Sequence, residues 1–413
     1  MPALDSLVIY EIFPRNHTPE GTLRALIPDL PRIAQLGVDY LWLMPVHPIG
    51  KTGRKGSHGS PYAVQDYRAI HPELGTLEDF IALVDAAHAH NLKVMIDIVF
   101  HHTARDARLF QEHPEWYLQQ SGQPTRKVAE WSDVYDLDYR HPELWQEQID
   151  VLCFWASYVD GFRCDVAPLV PLTFWLEARE AVYRKRPDFL WLAETVHPRF
   201  IKHMRARQIP IHADPEMHEA FDLTYDYDAF ERLEDFLAGL RPLSDYIDYF
   251  YAQETLYPME GRKLRFLENH DQPRAAQLFQ DRHRLENWTA FLFLLKGATL
   301  LYAGQEYALS HTPNLFEKDP VAWEQGDPSF AAWVTRLIQL KKTLTPYTRF
   351  DVSLPRQGIA EIRTDTMRAL FNLEGKRGLL TLEEGGYDML RSCRQEAGDV
   401  PLEKLPLILQ RGT

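Results

Sequence analysis

Eight runs of β-branched, aromatic and aliphatic residues recur along the first three quarters of the chain, at residues 8–14, 38–46, 92–100, 161–167, 189–196, 221–227, 263–269 and 298–306. Between them lie longer amphipathic stretches, near 23–36, 77–90, 142–159, 171–186, 199–207, 230–257 in two pieces, 284–296 and 328–343. Strands that read as near-continuous apolar runs are covered on both faces, as in a parallel sheet wrapped by helices. Repetition of such βα units eight times predicts an α/β fold, a (β/α)8 TIM barrel. Boundary chemistry agrees. Thr76 with Asp79 reads as a capping box with Asp in place of Glu, Asp327 as an N-cap with Pro328 at the first helical position, and Gly37 and Gly297 as stops after helices. The sixth run, F-D-L-T-Y-D-Y, is the weakest, being short and polar.

With 413 residues, 45% hydrophobic and 12% aromatic, the chain can bury one large core and still carry a small second domain. From about Pro346 the helical period is lost, and short apolar runs at 359–363, 367–371, 378–382 and 405–409 take over. The predicted division is therefore a barrel over 1–345 and a small C-terminal β-sandwich-like domain over 346–413. Two connections exceed an ordinary βα loop: 47–75, rich in Gly, Lys, Arg and Ser, and 101–141, read as a short loop subdomain after strand three. Long loops at the C-terminal face of a barrel are where substrate contacts belong. Within them the basic run 51–55 reads as a solvated loop, and Trp116, Trp131 and Tyr135 as partly core.

Lys and Arg number 45 against 59 Asp and Glu, giving a formal net charge of -14. Such a surface repels phosphate backbones and anionic headgroups, so neither nucleic acid nor membrane is expected as the main partner. Cys153, Cys164 and Cys393 have no paired spacing, which argues against a disulfide scaffold or a zinc site. The N-terminal residues show no basic segment followed by an apolar run, and a cytoplasmic location is expected.

Four of the apolar runs end in carboxylate-bearing segments: D-I-V-F-H-H at 97–102, G-F-R-C-D at 161–165, A-E-T at 193–195 and F-L-E-N-H-D at 266–271. In a (β/α)8 barrel those ends converge on one face. A cluster of carboxyls there suits retaining cleavage of a glycosidic bond, which needs one carboxylate as nucleophile and a protonated carboxyl about 5–5.5 Å away as acid. Arg163 lies two residues before Asp165, so both side chains share a face of the strand, and its charge would keep Asp165 ionised. Glu194 follows the apolar W-L-A, which would raise its pKa.

In this order and spacing the four segments resemble the four sequence regions of the α-amylase family of glycoside hydrolases, over about residues 5–345. The resemblance implies cleavage of α-1,4-glucosidic bonds in starch-type glucans or maltooligosaccharides, with Asp165 as nucleophile, Glu194 as general acid and base, and Asp271 as the carboxylate that holds sugar hydroxyls. It places His102, Arg163 and His270 around the bound sugar and Tyr62, in S-P-Y-A-V-Q-D-Y, as its aromatic platform. Asp97 reads as a buried structural partner of Arg163, and Glu306 as structural. No cofactor is expected. Calcium would need altered ligands, because His101, Pro168 and Leu169 stand where many members have Asn and a Lys-His pair that includes calcium ligands. The segments D-V-A, E-T-V-H and P-N-L-F-E-K-D-P-V-A-W resemble the neopullulanase and oligosaccharide-acting branch. Two alternatives stay open: a transglycosylase that passes the same covalent intermediate to a sugar hydroxyl, and a non-catalytic sugar-binding barrel. The oligomeric state is left open.

Overall fold

The structure, a computed structural model, describes residues 4–410, so the outer bounds expected for the two domains, residues 1 and 413, lie outside the described residues. Eight parallel strands close into a barrel: β1 Val8–Ile12, β2 Tyr40–Leu43, β3 Lys93–Ile98, β4 Gly161–Cys164, β5 Leu190–Ala193, β6 Leu223–Tyr225, β7 Arg262–Arg265 and β8 Ala298–Tyr302, each neighbouring the next, with β8 paired to β1. All eight predicted runs are strands, and the sixth is the shortest at three residues. The runs overshoot the ladder at their C-terminal ends by two to four residues. There the chain leaves the sheet while still packing under the barrel mouth, so its composition stays apolar although its hydrogen bonds no longer pair strands. Asp165 and Glu194 each sit one residue past a strand end, and Asp271 follows six residues after the end of β7.

Helix boundaries follow local chemistry. Thr76 and Asp79 form the predicted reciprocal cap of helix Leu77–Ala89, and Asp327 accepts from Ser329 N and Phe330 N at the start of Pro328–Leu344. The stretch expected as one helix at 23–36 is broken into Leu23–Leu26, a 3-10 turn at Ile27–Asp29 and Leu30–Leu36. Pro28 and Pro31 lack the N–H that a continuous helix would use there. Gly37 ends its helix as expected. Gly297 does not: the helix Arg282–Leu294 is capped by extended Leu295, and Gly297, at φ +117°, instead leads into β8 where a Cβ would lie 2.4 Å from the Lys263 carbonyl oxygen.

Five tryptophans, Trp42, Trp155, Trp175, Trp191 and Trp288, are fully buried in a core that runs from the barrel into its helices. Cys164 is buried in the same core, and the three cysteines are unpaired. After the last helix the chain forms a six-stranded antiparallel sheet. Along strands Ile359–Thr364 and Met367–Asn372, residues alternate between two apolar layers. Ala360, Ile362, Ala369 and Phe371 join the barrel core, with the Phe371 and Phe291 rings 5.3 Å apart, while Ile359 and Leu370 pack with the ribbon Leu379–Leu382 and Gly398–Pro401. Among the described residues no helix is long and apolar enough to cross a membrane.

Gly297→Ala is expected to destabilise the protein by about 1–3 kcal/mol, because a side chain must occupy a left-handed backbone against a fixed carbonyl. The readout is thermal melting, and an unchanged melting temperature would show that the β7–β8 junction can yield.

Candidate active site

Strand β4 carries Arg163 into the barrel interior, where it is fully buried. Its Nη1 donates to Asp97 Oδ1 at 2.8 Å and to Asp165 Oδ1 at 2.9 Å, and its Nη2 lies 2.8 Å from Glu194 Oε1. Register explains the convergence: Asp97 on β3 pairs with Arg163, which pairs with Leu192 on β5, two residues before Glu194. The guanidinium also sits among the rings of Trp42, Tyr62 and Tyr225, at 5.1, 5.5 and 5.5 Å from their centroids. One cation thus serves three carboxyl groups in a place with little water. An unpaired carboxylate there would be strongly disfavoured.

The second half of the site hangs on β1 and β7. His270 Nδ1 faces Glu11 Oε1 at 2.5 Å, and its Nε2 lies 2.8 Å from the Tyr62 hydroxyl and 3.2 Å from Asp271 Oδ2. Burial alone would push the His270 pKa down, but the carboxylates of Asp271 and Glu11 hold it well above the ordinary value. As an imidazolium it donates from both nitrogens, which leaves the Tyr62 hydroxyl free to donate to Asp97 Oδ2 at 3.1 Å. Glu11, His270, Tyr62, Asp97, Arg163 and Asp165 form one continuous chain of polar contacts across the barrel mouth. Tyr62 stacks on His270 with centroids 5.3 Å apart and planes inclined by 18°.

The three acids differ in electrostatics. Glu194 is raised by burial; Arg163 works against this, while Asp165 and Asp271 add to it. Asp165 is raised less, burial being opposed by its contact with Arg163. Arg163 therefore favours the ionised form of Asp165, as its place on the same strand face suggests, but burial outweighs it and the pKa stands above the usual carboxylate range. Asp271 is 44% exposed and opens into the cleft, and the neighbouring His270 outweighs desolvation to hold its pKa low. Glu194 Oε2 also accepts from Val166 N at 2.8 Å. Val166 adopts φ +35°, ψ 42°, a left-handed conformation that is strained for a β-branched residue. That turn aims the amide at Glu194.

A cleft of about 260 Å³ opens over Asp165, Glu194, Asp271, Tyr62 and His102. A larger one, about 370 Å³, lies on the loop subdomain, where Arg68 pairs with Glu147 and Arg108 with Glu112. Its charged groups satisfy one another, and none of the three clustered acids borders it. Of the residues proposed for the site from sequence, Asp165, Glu194, Asp271, Tyr62 and His102 line the smaller cleft, and Arg163, His270 and Asp97 are buried beneath it. Trp131 is partly core, as read, packing against two small apolar clusters, and it also lines the cleft, 5.3 Å from His102. One reading is corrected: Lys55 is no solvated loop residue, since it lines the same cleft and pairs with Asp133 Oδ1 at 3.2 Å. Trp116 and Tyr135 do pack inward. Glu306 is buried and accepts from Tyr10 and Arg32. Glu11 was missed. A lone carboxylate inside the apolar run V-I-Y-E-I was its signal, since a charge in a buried strand needs a partner.

The usual calcium position does not suit the ion. Leu169 packs with Val128, Val166, Met204 and Ile211, and the Pro168 carbonyl accepts from His212 N. His101 sits against His102 and, at 3.4 Å, Asp136, whose Oδ2 also accepts from Lys127 N. Apolar packing and an imidazole replace the several oxygens that calcium requires.

A parallel barrel with clustered acids at its C-terminal mouth and a β domain after the last helix defines the class to which the comparisons point. The sequence model for the family described as "Alpha amylase, catalytic domain" matches residues 12–333. The chain belongs to the alpha-amylase family. The structure superposes on that of an alpha-amylase from Lactobacillus plantarum with a TM-score of 0.95 at 39% identity, covering 100% of both chains. The noncanonic maltogenic alpha-amylase AmyB from Thermotoga neapolitana gives 0.86 at 34% identity, again covering 100% of both. Alpha-amylase MalA from Haloarcula japonica is 29% identical over 341 residues, 80% of this chain and 48% of that protein. The chain thus spans about half the length of that curated relative.

Two outcomes are expected. Arg163→Lys should leave the protein folded but move the acid limb of its pH–activity profile upward, because a single ammonium cannot face three carboxyls and Asp165 loses part of the pull that opposes burial. An unmoved limb would mean that Arg163 does not set the ionisation of Asp165. Exhaustive dialysis against EDTA should leave both activity and melting temperature intact, and a loss restored by calcium would show that ligands come from elsewhere.

Proposed function

We propose that the protein is a retaining glycoside hydrolase acting on α-1,4-glucosidic bonds of starch-type glucans or maltooligosaccharides. The observation that carries this reading is the pair Asp165 and Glu194 on one buried guanidinium, with Glu194 raised further than Asp165. Two carboxyls whose environments separate their pKa values divide into a nucleophile and an acid. Membership of the alpha-amylase family supports the choice of substrate.

In the first step a carboxylate oxygen of Asp165 attacks the anomeric carbon while Glu194 gives its proton to the glycosidic oxygen. The C–O bond to the leaving sugar breaks, and a glycosyl ester of Asp165 forms. Glu194, now a carboxylate, takes a proton from water as the water oxygen attacks the same carbon. The ester bond breaks, Asp165 is regenerated, and two inversions leave the configuration unchanged. Asp271, which lines the cleft, holds hydroxyls of the distorted ring, and the His270 imidazolium behind it keeps that carboxylate ionised. Capture of the ester by a sugar hydroxyl would give transfer instead, and product analysis from maltoheptaose with and without added glucose measures that partition.

Asp165→Asn should lose several orders of magnitude in kcat with the fold intact, and near wild-type turnover would sink the assignment. Activity should describe a bell in pH. Its alkaline limb reports mainly Glu194 losing the proton it must donate, with the neighbouring carboxyls sharing the apparent value, and lies above the range of an ordinary glutamate because burial raises that group. Glu194→Gln should fail on natural glucans yet form the glycosyl ester from an α-glucosyl fluoride, whose leaving group needs little protonation. Equal loss of this step on both substrates would remove Glu194 from the role of acid.

A further inference from the structure

Strand order fixes which side of the cleft receives which half of the substrate. In the closed barrel β5, with Glu194 at its end, lies opposite β1, and β1 is flanked by β2 and β8. The leaving sugar must stand beside Glu194, which protonates it. The glycon, the part that becomes attached to Asp165, therefore extends toward the loops that follow β2 and β8.

Those loops are fastened together there. Ser57 N donates to Glu317 Oε1 at 3.0 Å and His58 N to the Phe316 carbonyl at 3.0 Å, while Arg15 Nη1 donates to the carbonyls of both Gly59 and Leu315 at 3.3 Å. Gly56 allows the approach: at φ +63° a Cβ would lie 2.7 Å from Phe316 Cβ and from its carbonyl oxygen. The loop after β3 joins the same wall through Lys55, whose Nζ reaches Asp133 Oδ1 at 3.2 Å and the Glu130 carbonyl at 3.1 Å and lies 5.9 Å from the Phe316 ring. Lys55, Asp133 and Phe316 all face into the cleft. Asp133 is almost wholly buried, so the bridge is anchored at its base, whereas Lys55 keeps 31% exposure and can still offer N–H groups to a sugar. At about 260 Å³ the cleft is below the ~300–1,000 Å³ usual for small-molecule sites.

We propose that Lys55, Asp133 and Phe316 form an end stop on the glycon side, which admits no more than a disaccharide beyond the scissile bond and makes the enzyme release glucose or maltose from non-reducing chain ends. On this proposal a long glucan has no exit past Phe316. Its ammonium and carboxylate are suited to a terminal sugar, whose 4-hydroxyl is free only at the non-reducing end. This proposal rests on the hydrolytic reading above.

The test compares maltoheptaose with a maltoheptaoside whose terminal 4- and 6-hydroxyls are tied up in a benzylidene acetal, following first products by chromatography. Glucose or maltose should appear first from the free substrate, and the blocked one should be cut at least about tenfold more slowly, as a steric stop demands. Maltotriose or longer glycons as first products, or equal rates on the two substrates, would overturn the proposal. Lys55→Ala and Phe316→Ala, each checked for folding, should raise the blocked-to-free rate ratio and lengthen the first products. A wild-type ratio in both folded variants would overturn the assignment to these residues. If either variant does not fold, the wild-type comparison still decides between an open and a closed cleft. Absence of any release from free maltoheptaose that depends on Asp165 would instead sink the hydrolytic reading, and the end stop with it.

Discussion

A single guanidinium inside the barrel holds the site together. Arg163 is surrounded by Asp97, Asp165 and Glu194, and it is the only cation within hydrogen-bond reach of the latter two among the described residues. The arrangement is electrostatically underpaid: three carboxyls share one positive charge in a medium of low dielectric, where each unneutralised carboxylate is disfavoured. Proton uptake relieves the imbalance, and the group raised furthest is Glu194, whose neighbours Asp165 and Asp271 add like charge. Burial first, and then the surplus of carboxyls over cations, is thus the source of the acid that the proposed chemistry needs.

His270 provides the complementary device. Flanked by Glu11 and Asp271 it is held protonated; its Nδ1–H donates to Glu11 and its Nε2–H orients Tyr62, which in turn directs its hydroxyl to Asp97. Asp271 consequently stays ionised although it stands near two other acids. Opposite demands on neighbouring carboxyls, one neutral and another charged, are met by giving each a different cation. A network in which every member has a partner also fixes rotamers, and pre-organised groups lose little freedom when a sugar arrives.

Around this fixed centre the loops after β2, β3 and β8 set access. Their mutual contacts run through backbone amides, the carboxylates of Glu317 and Asp133, and the cations Arg15 and Lys55, on the side facing away from Glu194. On the proposed reading, chemistry and chain-length selection occupy separate layers: strand ends carry the acids, and loops carry the wall.

The eight strands, most helices and the acids at the strand ends could be read from the chain because each rests on local periodicity or on a charge placed at the end of an apolar run. Strand ends were read too long for a related reason: residues such as Val166 and Thr195 remain buried after the ladder stops. Gly297 was read as a helix stop, but its role depends on the Lys263 carbonyl, which is distant in sequence. Glu11 showed itself only as a misplaced charge, and its partner His270 lies 259 residues away. Lys55 looked like surface, and Trp131 like partial core alone, because composition cannot say that two long loops meet over a cleft. By itself the sequence determined the barrel, its family and the identity of the acids, since periodicity and short ordered motifs are properties of neighbouring residues. Which carboxyl is neutral, which cation it shares and where the cleft ends were decided only by the tertiary structure, because desolvation and Coulomb interaction depend on distances that barrel closure creates.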